Sequence, residues 1–259
     1  MRVVVTRPAH EAAAWRDALA AAGHEPVTLP LIDIAAVDGE AARAALARAW
    51  AALTSGHFGA VMCVSGNAVA HFMAARPEGA AWPAAVPAWS PGPGTTRVLR
   101  VVPGGPACVH EPAADGGQFD SEHLWEIVRS TVRAGMRVLC LRGGDAQGRP
   151  AGRDWLATRV REAGGEWEDV VAYRRLRPGW TARQADDAAQ TLADAVWLFS
   201  SSEAVSNLQA LLPGQSWRAA CAIATHPRIA QAARDAGFGQ VRQCLPTQEA
   251  VVASIESPR

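Results

Sequence analysis

The chain has 259 residues, of which 49% are hydrophobic and 19% charged, with 25 basic and 25 acidic side chains. This size and composition are typical of a globular protein with two medium-sized domains or one large domain. The formal net charge of zero argues against a general binder of nucleic acid or membrane surfaces held by long-range electrostatics. No apolar run in the sequence approaches the roughly 20 residues that a membrane-spanning helix needs.

All 25 basic side chains are arginine. The lack of lysine excludes Schiff-base catalysis by a lysine and a phosphate-loop lysine, so anions must be held by arginine or by backbone N–H groups. The five cysteines contain no CxxC pair and the seven histidines show no ligand spacing, so we expect neither a disulfide framework nor a metal site. The first residues resemble a strand and not a signal peptide, and we expect a cytoplasmic protein.

Strands alternate with helices from the start of the chain. An apolar run at residues 2–6 predicts a buried strand of a parallel sheet. A helix ending at Gly23 follows, and then an outgoing strand at residues 27–37 that contains Pro30. The remaining elements of this part are predicted as helices at 41–53, 67–75, from about 94, and at 121–132 with Ser121 as N-cap, as strands at 60–64 and 86–89, and as turns between 77 and 106 and at 116–118.

The same alternation continues in the second part of the chain. It begins with a strand at residues 137–141, a glycine-bearing loop at 142–148, a helix at 153–163 and a strand at 168–173. Residues 174–180 have the composition of a linker. Helices are then predicted at 182–192, 203–211, 228–236 and 248–255, and strands at 195–199, 220–224 and 240–243. This pattern predicts an α/β fold with doubly wound parallel sheets.

Three segments occur twice in the same order, which indicates an internal repeat and favours two domains. Residues 2–34 match 137–176, residues 61–69 match 197–205, and residues 88–100 match 222–234. The matched residues are Arg7 with Arg142, Gly23 with Gly164, Ser65 with Ser201, Asn67 with Glu203, Gly92 with His226, and Thr95 with Ile229.

Polar and small residues cluster where strands end and helices begin. In open parallel sheets, ligands bind beyond the carboxyl ends of the strands, and helix N-termini there attract anions. These loops therefore predict a site for a polyanionic ligand, although serine, threonine and asparagine also occur there as ordinary N-caps. The candidate binding residues are Thr6, Arg7, Ser65, Gly66, Asn67, Thr95, Arg142, Gly143, Ser201, Ser202, His226 and Arg228.

Tyr173 is the only tyrosine in the chain and lies at the end of a predicted strand. One interpretation is a half-buried strand end whose hydroxyl contacts water. The other is a proton donor whose phenol is made more acidic by neighbouring cations such as Arg174 and Arg175. The residues by themselves leave both interpretations open.

An ordered set of short motifs resembles the uroporphyrinogen-III synthase family from residue 2 to about residue 255. The motifs are VVVTRP, SGNAV, GPGT, LRGG, VVAYRR, FSSSEAV and PRIAQAARDAGF. Each is weak alone, and their order makes the set specific. The chain departs from the family pattern in two places: Val64 stands where many members have threonine, and in the last loop His226 and Ile229 replace the usual glycine and threonine. We expect backbone amides to carry any binding at that loop.

The resemblance implies two α/β domains joined by a two-stranded β linker, with the active site in the cleft between them. It places residues 1–34 and 176–259 in one domain and residues 38–170 in the other, with linker strands near 31–37 and 171–176. The sequence pattern by itself would instead favour a division into an N-terminal and a C-terminal half.

The implied reaction is the cyclisation of hydroxymethylbilane, a linear tetrapyrrole with many carboxylates, with loss of water and inversion of ring D. Tyr173 aligns with the tyrosine that assists departure of the hydroxyl, and Thr95, Ser65 and Ser201 align with residues of the binding loops. The resemblance implies no cofactor. We expect a monomer that receives its substrate from hydroxymethylbilane synthase. A different hypothesis is a non-catalytic two-domain module that binds an anionic small molecule, since duplicated α/β folds often do so.

Overall fold

The computed structural model describes residues 1–113, 119–190 and 195–257, and the contacts of the chain divide into two compact units. Unit 1 consists of Met1–Asp33 and Leu176–Arg259, and unit 2 consists of Ile34–Arg175. Unit 1 is therefore built from both ends of the chain. A division into an N-terminal and a C-terminal half is wrong for this chain.

The helices and strands alternate along the chain as the sequence pattern predicts. In chain order they are β1 (Arg2–Val5), α1 (Ala9–Ala21), β2 (Glu25–Thr28), β3 (Asp33–Ala36), α2 (Glu40–Thr54), β4 (Ala60–Cys63), α3 (Gly66–Ala74), β5 (Ala88–Trp89), α4 (Pro93–Val101), β6 (Val109–His110), α5 (Ser121–Val128) with a 3₁₀ turn (Arg129–Thr131), β7 (Arg137–Gly144), α6 (Trp155–Glu162), β8 (Glu166–Leu176), α7 (Ala182–Gln190), β9 (Ala195–Phe199), α8 (Ser202–Leu211), β10 (Cys221–Ala224), α9 (Pro227–Asp235), β11 (Gln240–Gln243) and α10 (Gln248–Glu256).

Unit 1 contains a five-stranded sheet in the order β11-β10-β9-β1-β2, and every described pair is parallel. The strand β1 pairs on one side with β2, which follows it closely, and on the other with β9. Val4 lies opposite Val27 in β2 and Trp197 in β9. The two ends of the chain are therefore joined by backbone hydrogen bonds within one sheet.

Unit 2 contains a six-stranded sheet in the order β3-β8-β7-β4-β5-β6. The pairs from β8 to β6 are parallel. Without the edge strand β3, this order matches that of unit 1 strand by strand: β8-β7-β4-β5-β6 corresponds to β2-β1-β9-β10-β11. The strand–helix–strand segment that opens unit 1 closes unit 2, which gives the internal repeat a structural basis.

Both faces of the unit 2 sheet carry helices, as in a doubly wound fold. The apolar cluster on one face joins α2 and α3 to strand residues such as Val61 and Leu139, and the cluster on the other joins α5 and α6 to residues such as Met62 and Val138. In unit 1, α1 and α10 pack on one face, against Val5 among others. The prediction of a parallel α/β fold is confirmed.

Several predicted elements differ from the structure. The outgoing strand at 27–37 is two strands, β2 and β3, separated by Leu29–Ile32, a segment that contains Pro30. The short strand β6 was not predicted, because only two residues of a Pro- and Gly-rich region form it. The N-cap of α5 is Asp120 and not Ser121, since the Asp120 carboxylate accepts the His123 N–H at 2.9 Å. The turn at 116–118 and the end of the helix at 182–192 lie outside the described residues.

The glycine-bearing loop predicted to start at Arg142 begins later in the structure. Strand β7 continues through Arg142 and Gly143 to Gly144, because these residues keep pairing with β8. Two consecutive glycines usually indicate a turn. Here they remain in the sheet, paired with Tyr173 and Arg174 of β8.

Candidate active site

In both units a serine in a strand-end loop is the N-cap of the helix that follows. Ser65 is the N-cap of α3, where its hydroxyl accepts the Ala68 N–H, and Ser201 is the N-cap of α8, where its hydroxyl accepts the Glu203 N–H. Both distances are 3.2 Å. The sequence match between these serines is therefore also a structural match, and the ordinary N-cap role holds for both.

Tyr173 in unit 2 lies across the neighbouring strand β7 at Gly143. A Cβ atom added to Gly143 would lie 2.7 Å from the Tyr173 Cζ atom and 2.9 Å from its hydroxyl oxygen. Real Cβ atoms essentially never come so close to another heavy atom. The absence of a side chain at Gly143 therefore provides the space that the phenol occupies.

A register shift brings Tyr173 to this position. Arg142 lies opposite Val171, whereas the next residue, Gly143, lies opposite Tyr173, so β8 contains one extra residue, Ala172, at this point. Such a bulge redirects the side chains that follow it. Ala172 and Tyr173 are consequently both buried in the same apolar cluster, although they are adjacent in a strand.

The Tyr173 hydroxyl reaches the loop after β4, which lies on the other side of β7. Its oxygen is 3.2 Å from the Ser65 hydroxyl oxygen. Adjacent strands lie about 4.8 Å apart, so the Tyr173 side chain and its contact with Ser65 together span the two strand spacings from β8 to β4, roughly 10 Å. The His71 imidazole on α3 stacks against the phenol ring at 5.8 Å between centroids. Tyr173 is 4% exposed, so any contact with a ligand is confined to a small part of the phenol.

Arg142 does not extend toward an open strand end. Its side chain is 5% exposed, and Nη1 donates to Asp154 at 2.9 Å and to Asp169 at 3.1 Å, while Nη2 donates to the Arg153 carbonyl at 3.1 Å. Burial alone would lower the pKa of the Arg142 guanidinium, but the hydrogen bond to Asp154 and the nearby negative charges raise it overall. This arrangement joins β7 to β8 and to the start of α6, and it argues against direct binding of a ligand by Arg142.

The matching arginine in unit 1 is more accessible. Arg7 follows β1, its side chain is 17% exposed, and it forms an ion pair with Glu11 at 3.1 Å. Its guanidinium carbon lies 4.5 Å from the centre of the Trp15 ring, a cation–π distance. Burial lowers the pKa of Arg7, and Glu11 opposes this shift. The preceding residue, Thr6, is 1% exposed and donates its hydroxyl to the Leu198 carbonyl at 2.6 Å, so it joins β1 to β9.

The loop before α4 in unit 2 is held by its own side chains. The Thr96 hydroxyl donates to the Ser90 hydroxyl at 2.9 Å, and Ser90 donates to the Gly92 carbonyl at 2.9 Å. Thr95, a predicted binding residue, is buried in the first turn of α4. Two other predicted residues, Gly66 and Asn67, lie in the first turn of α3, and Gly66 packs closely against Val98 of α4.

The corresponding loop in unit 1 differs in its chemistry. His226 is the N-cap of α9, and its Nδ1 atom accepts the Arg228 N–H at 3.1 Å. The Ile229 and Ala230 amides donate to the His226 carbonyl, each at 3.0 Å, and Pro227 has no N–H. The described first-turn amides of α9 are thus engaged within the helix. The expectation that backbone amides carry any binding at this loop stays a prediction.

The second departure at this loop, isoleucine in place of threonine at position 229, is explained by burial. Ile229 is 7% exposed and belongs to the buried face of α9, at the position that Thr95 occupies in α4. An apolar side chain suits a buried position that has no polar partner to satisfy. Ser201 and Ser202, at the start of α8, are half-buried.

A cavity in unit 1 lies at the end of the sheet opposite the strand-end loops of that unit. It is lined by residues at the amino ends of strands, including Cys221 and Gln240, and by the end of α10. Ligands of parallel sheets bind at the opposite, carboxyl ends. Within the described ranges, no group of three or more His, Cys, Asp or Glu side chains is arranged to hold a metal ion. None of the helices described here is long and apolar enough to cross a membrane.

Three partners of Tyr173 were not foreseen from the sequence. The sequence pattern identified Tyr173, Ser65 and Gly143 separately. It did not predict their contacts with one another or the stacking of His71 on Tyr173. A signal was present, because a glycine inside a strand often marks a close approach of another group. The interpretation of the two glycines as a loop obscured it.

The fold and these loops define a class of protein, the parallel α/β proteins with two repeated units. Two solved structures share the fold: uroporphyrinogen-III synthetase from Helicobacter pylori 26695, with 17% identity, a TM-score of 0.62 and 100% of each chain covered, and a mutant uroporphyrinogen III synthase from Thermus thermophilus, with 16% identity, a TM-score of 0.58, and 99% of this chain and 97% of that chain covered. No curated protein sequence matches the chain.

A family model described as uroporphyrinogen-III synthase HemD matches residues 13–253. The chain therefore belongs to the uroporphyrinogen-III synthase family, and the resemblance found in its motifs is confirmed. This family comprises lyases that cyclise hydroxymethylbilane in the biosynthesis of tetrapyrroles, including haem.

Proposed function

We propose that this chain converts hydroxymethylbilane into uroporphyrinogen III, and that Tyr173 assists the reaction. The observation that carries the proposal is the position of the phenol across Gly143, 3.2 Å from the N-cap serine of α3, in a chain that the family model matches from residue 13 to residue 253. A buried phenol held beside a helix N-terminus is a suitable proton donor.

The first step is loss of the terminal hydroxyl group. Tyr173 donates its proton to that oxygen, which leaves as water, and the substrate becomes an azafulvene cation. Ring D is attacked to give a spiro intermediate, whose rearrangement inverts the ring and closes the macrocycle. A proton is released when the pyrrole regains aromaticity, and it can restore the phenol. The overall reaction is loss of one water molecule, and the protein must mainly hold a flexible substrate in the reactive shape.

The carboxylates of the substrate need several cationic or N–H partners. We assign this role to Arg7, to the first turns of α3 (Gly66, Asn67), α4 (Thr95) and α8 (Ser201, Ser202), and to the side chains of His226 and Arg228. The more accessible Arg7 is better suited to binding than the buried Arg142. Thr6, Arg142 and Gly143 act in this scheme by holding the strands and Tyr173 in position.

We also propose that units 1 and 2 are the two domains of the enzyme and that β3 and β8 form the linker. We place the enzyme in the cytoplasm as a monomer that receives its substrate from hydroxymethylbilane synthase. Analytical ultracentrifugation tests whether the chain is a monomer in solution. Sedimentation as a dimer at micromolar concentration would contradict it.

The test of the reaction is a coupled assay in which hydroxymethylbilane is generated in situ and the oxidised products are separated into uroporphyrin isomers I and III. We expect isomer III to predominate, whereas a control without the chain gives isomer I by spontaneous closure. A product that consists only of isomer I would show that the chain does not catalyse the reaction. The alternative, a module that binds an anionic small molecule, would then be preferred, and the altered loop before α9 is the observation that favours it.

The variant Tyr173→Phe tests the proton donor in the same assay. We expect turnover to fall by less than the roughly hundredfold that general acids often contribute, because the cation forms readily and positioning dominates. The product should remain isomer III. Full turnover with the same isomer would show that Tyr173 is not the acid.

A further inference from the structure

The hydrogen-bonding capacity of Ser65 determines what it can do for Tyr173. A serine hydroxyl has one proton to donate and two lone pairs that accept. One lone pair accepts the Ala68 N–H, since the two atoms are 3.2 Å apart. The remaining contact is with the Tyr173 hydroxyl oxygen, also at 3.2 Å, and distance alone allows either hydroxyl to be the donor.

The helix favours one of these two directions. The amide that donates to Ser65 belongs to the first turn of α3, where the N–H groups form the positive end of the helix dipole. A hydroxyl that accepts a hydrogen bond becomes a better donor in its turn. These two effects favour a chain of donors that runs from the Ala68 N–H through the Ser65 O–H to the oxygen of Tyr173.

We propose that Ser65 is a positioning residue that donates its hydrogen bond to the Tyr173 oxygen, so that the phenolic proton is directed to the leaving hydroxyl of the substrate. The inference rests on the proposed function and deepens it. When Tyr173 gives up its proton, the hydrogen bond from Ser65 stabilises the phenolate. Ser65 itself neither gains nor loses a proton, and the proton released by the pyrrole returns to Tyr173.

Several ionisable groups on the elements around Tyr173 have described contacts of their own. His71 on α3 stacks on the ring. The Arg142 charge on β7 is paired with two aspartates, and the Arg174 charge on β8 is paired with Asp38 at 2.8 Å. Cys63, at the end of β4, belongs to the same apolar cluster, and burial raises the pKa of its thiol well above its usual range, so that it is uncharged.

The single tyrosine makes a direct measurement feasible. Protein labelled with ¹³C at tyrosine Cζ gives one NMR signal, whose pH dependence reports the ionisation of Tyr173 alone. Ser65→Gly removes the hydroxyl but keeps a residue that is tolerated as an N-cap. We expect the midpoint of the titration to rise by about one pH unit in this variant, because a hydrogen bond to a charged group is lost. Ser65→Thr keeps a hydroxyl and should keep the midpoint.

A matched control is available in unit 1. Thr247 is the N-cap of α10, and its hydroxyl accepts the Ala250 N–H at the same 3.2 Å distance. Thr247→Gly removes an equivalent cap and should leave the Tyr173 titration unchanged. An unchanged midpoint in Ser65→Gly would overturn the proposal, and so would an equal rise in Thr247→Gly.

Turnover provides the second test. We expect Ser65→Gly to slow the reaction about tenfold with isomer III still the product, and to have no further effect in the Tyr173→Phe background. An equal loss in both backgrounds would mean that Ser65 acts independently of Tyr173 and would overturn the proposal. The titration distinguishes this failure from a failure of the proposed function, because it requires no substrate. A wild-type chain that makes only isomer I would refute the function, whatever the titration shows.

Discussion

Gly143 determines where the phenol of Tyr173 can lie. The position has no backbone strain that would require glycine, since its φ is not in the left-handed region. The constraint is the space beyond its Cα atom, which the ring of Tyr173 fills. Because Gly143 has no side chain, the phenol of Tyr173 on β8 can lie over β7 and contact Ser65.

The variant Gly143→Ala tests this constraint. The added methyl group must displace the buried ring, and we expect the free energy of unfolding to fall by about 1–3 kcal/mol. The contact with Ser65 should be lost, so turnover should fall at least as far as in Tyr173→Phe. Denaturant unfolding and the isomer assay measure the two effects. The control is Gly179→Ala, where no heavy atom lies within 4 Å of the added Cβ atom. If Gly143→Ala is as stable and active as the control, the ring is not held in this way.

Sequence patterns identify individual site residues more readily than their contacts. Tyr173 and Ser65 were candidates because each stands at the end of a strand. Their contact depends on the order of the strands in space and on one extra residue in β8, and neither follows from local pattern. Arg142 was a candidate for the same reason as Arg7, but two aspartates distant in sequence turn it inward.

Helices α4 and α9 occupy equivalent positions in the two units but begin differently. The loop before α4 is ordered by Ser90 and Thr96, while α9 is capped by the imidazole of His226. An imidazole nitrogen can accept the Arg228 N–H only when it carries no proton. Unit 1 therefore uses a titratable side chain where unit 2 has glycine.

The capping role of His226 predicts a difference between two variants. His226→Ala removes the acceptor and should lower the free energy of unfolding by about 1 kcal/mol, whereas His226→Asn retains one and should be close to wild type. Thermal unfolding of both proteins at neutral pH measures the difference. Equal stability of the two variants would show that the imidazole contributes nothing as a cap.

The elements that sequence predicted well are the ones with strong local signals. Helices α1 and α6 end as expected, each followed by a glycine in the left-handed region, Gly23 and Gly164. Strand β6 is too short to have a periodic pattern. Strand β7 was predicted too short because its glycines are explained only by a side chain of the next strand.

At the scale of the whole molecule, unit 1 depends on two segments that are far apart in the chain. Its strand β1 lies between β2 from the same segment and β9 from the other. Unit 2 is continuous from Ile34 to Arg175. Because unit 2 is one continuous segment and unit 1 is two, we expect fragments of the two units to differ in whether they fold alone.

A fragment of residues 32–177 should fold alone and unfold in one cooperative transition, because it retains all six strands of the unit 2 sheet. Residues 176–259 alone should show no cooperative transition. In this fragment β9 lacks its neighbour β1, and the apolar cluster of unit 1 lacks Val3 and Val5. Circular dichroism during urea unfolding checks both fragments. Adding a peptide of residues 1–33 is the control. A cooperative transition of residues 176–259 without it would contradict the prediction.

The crossed path of the chain also has a consequence for synthesis on the ribosome. Strand β1 is translated before the other described strands, but its partner β9 begins about 190 residues later. At 5–20 residues per second, this delay lasts about 10 to 40 s. All of unit 2 emerges during that interval, so the apolar residues Val3, Val4 and Val5 remain without β9 while the rest of the nascent chain folds. Strand β1 therefore gains its second neighbour only after all of unit 2 has been made.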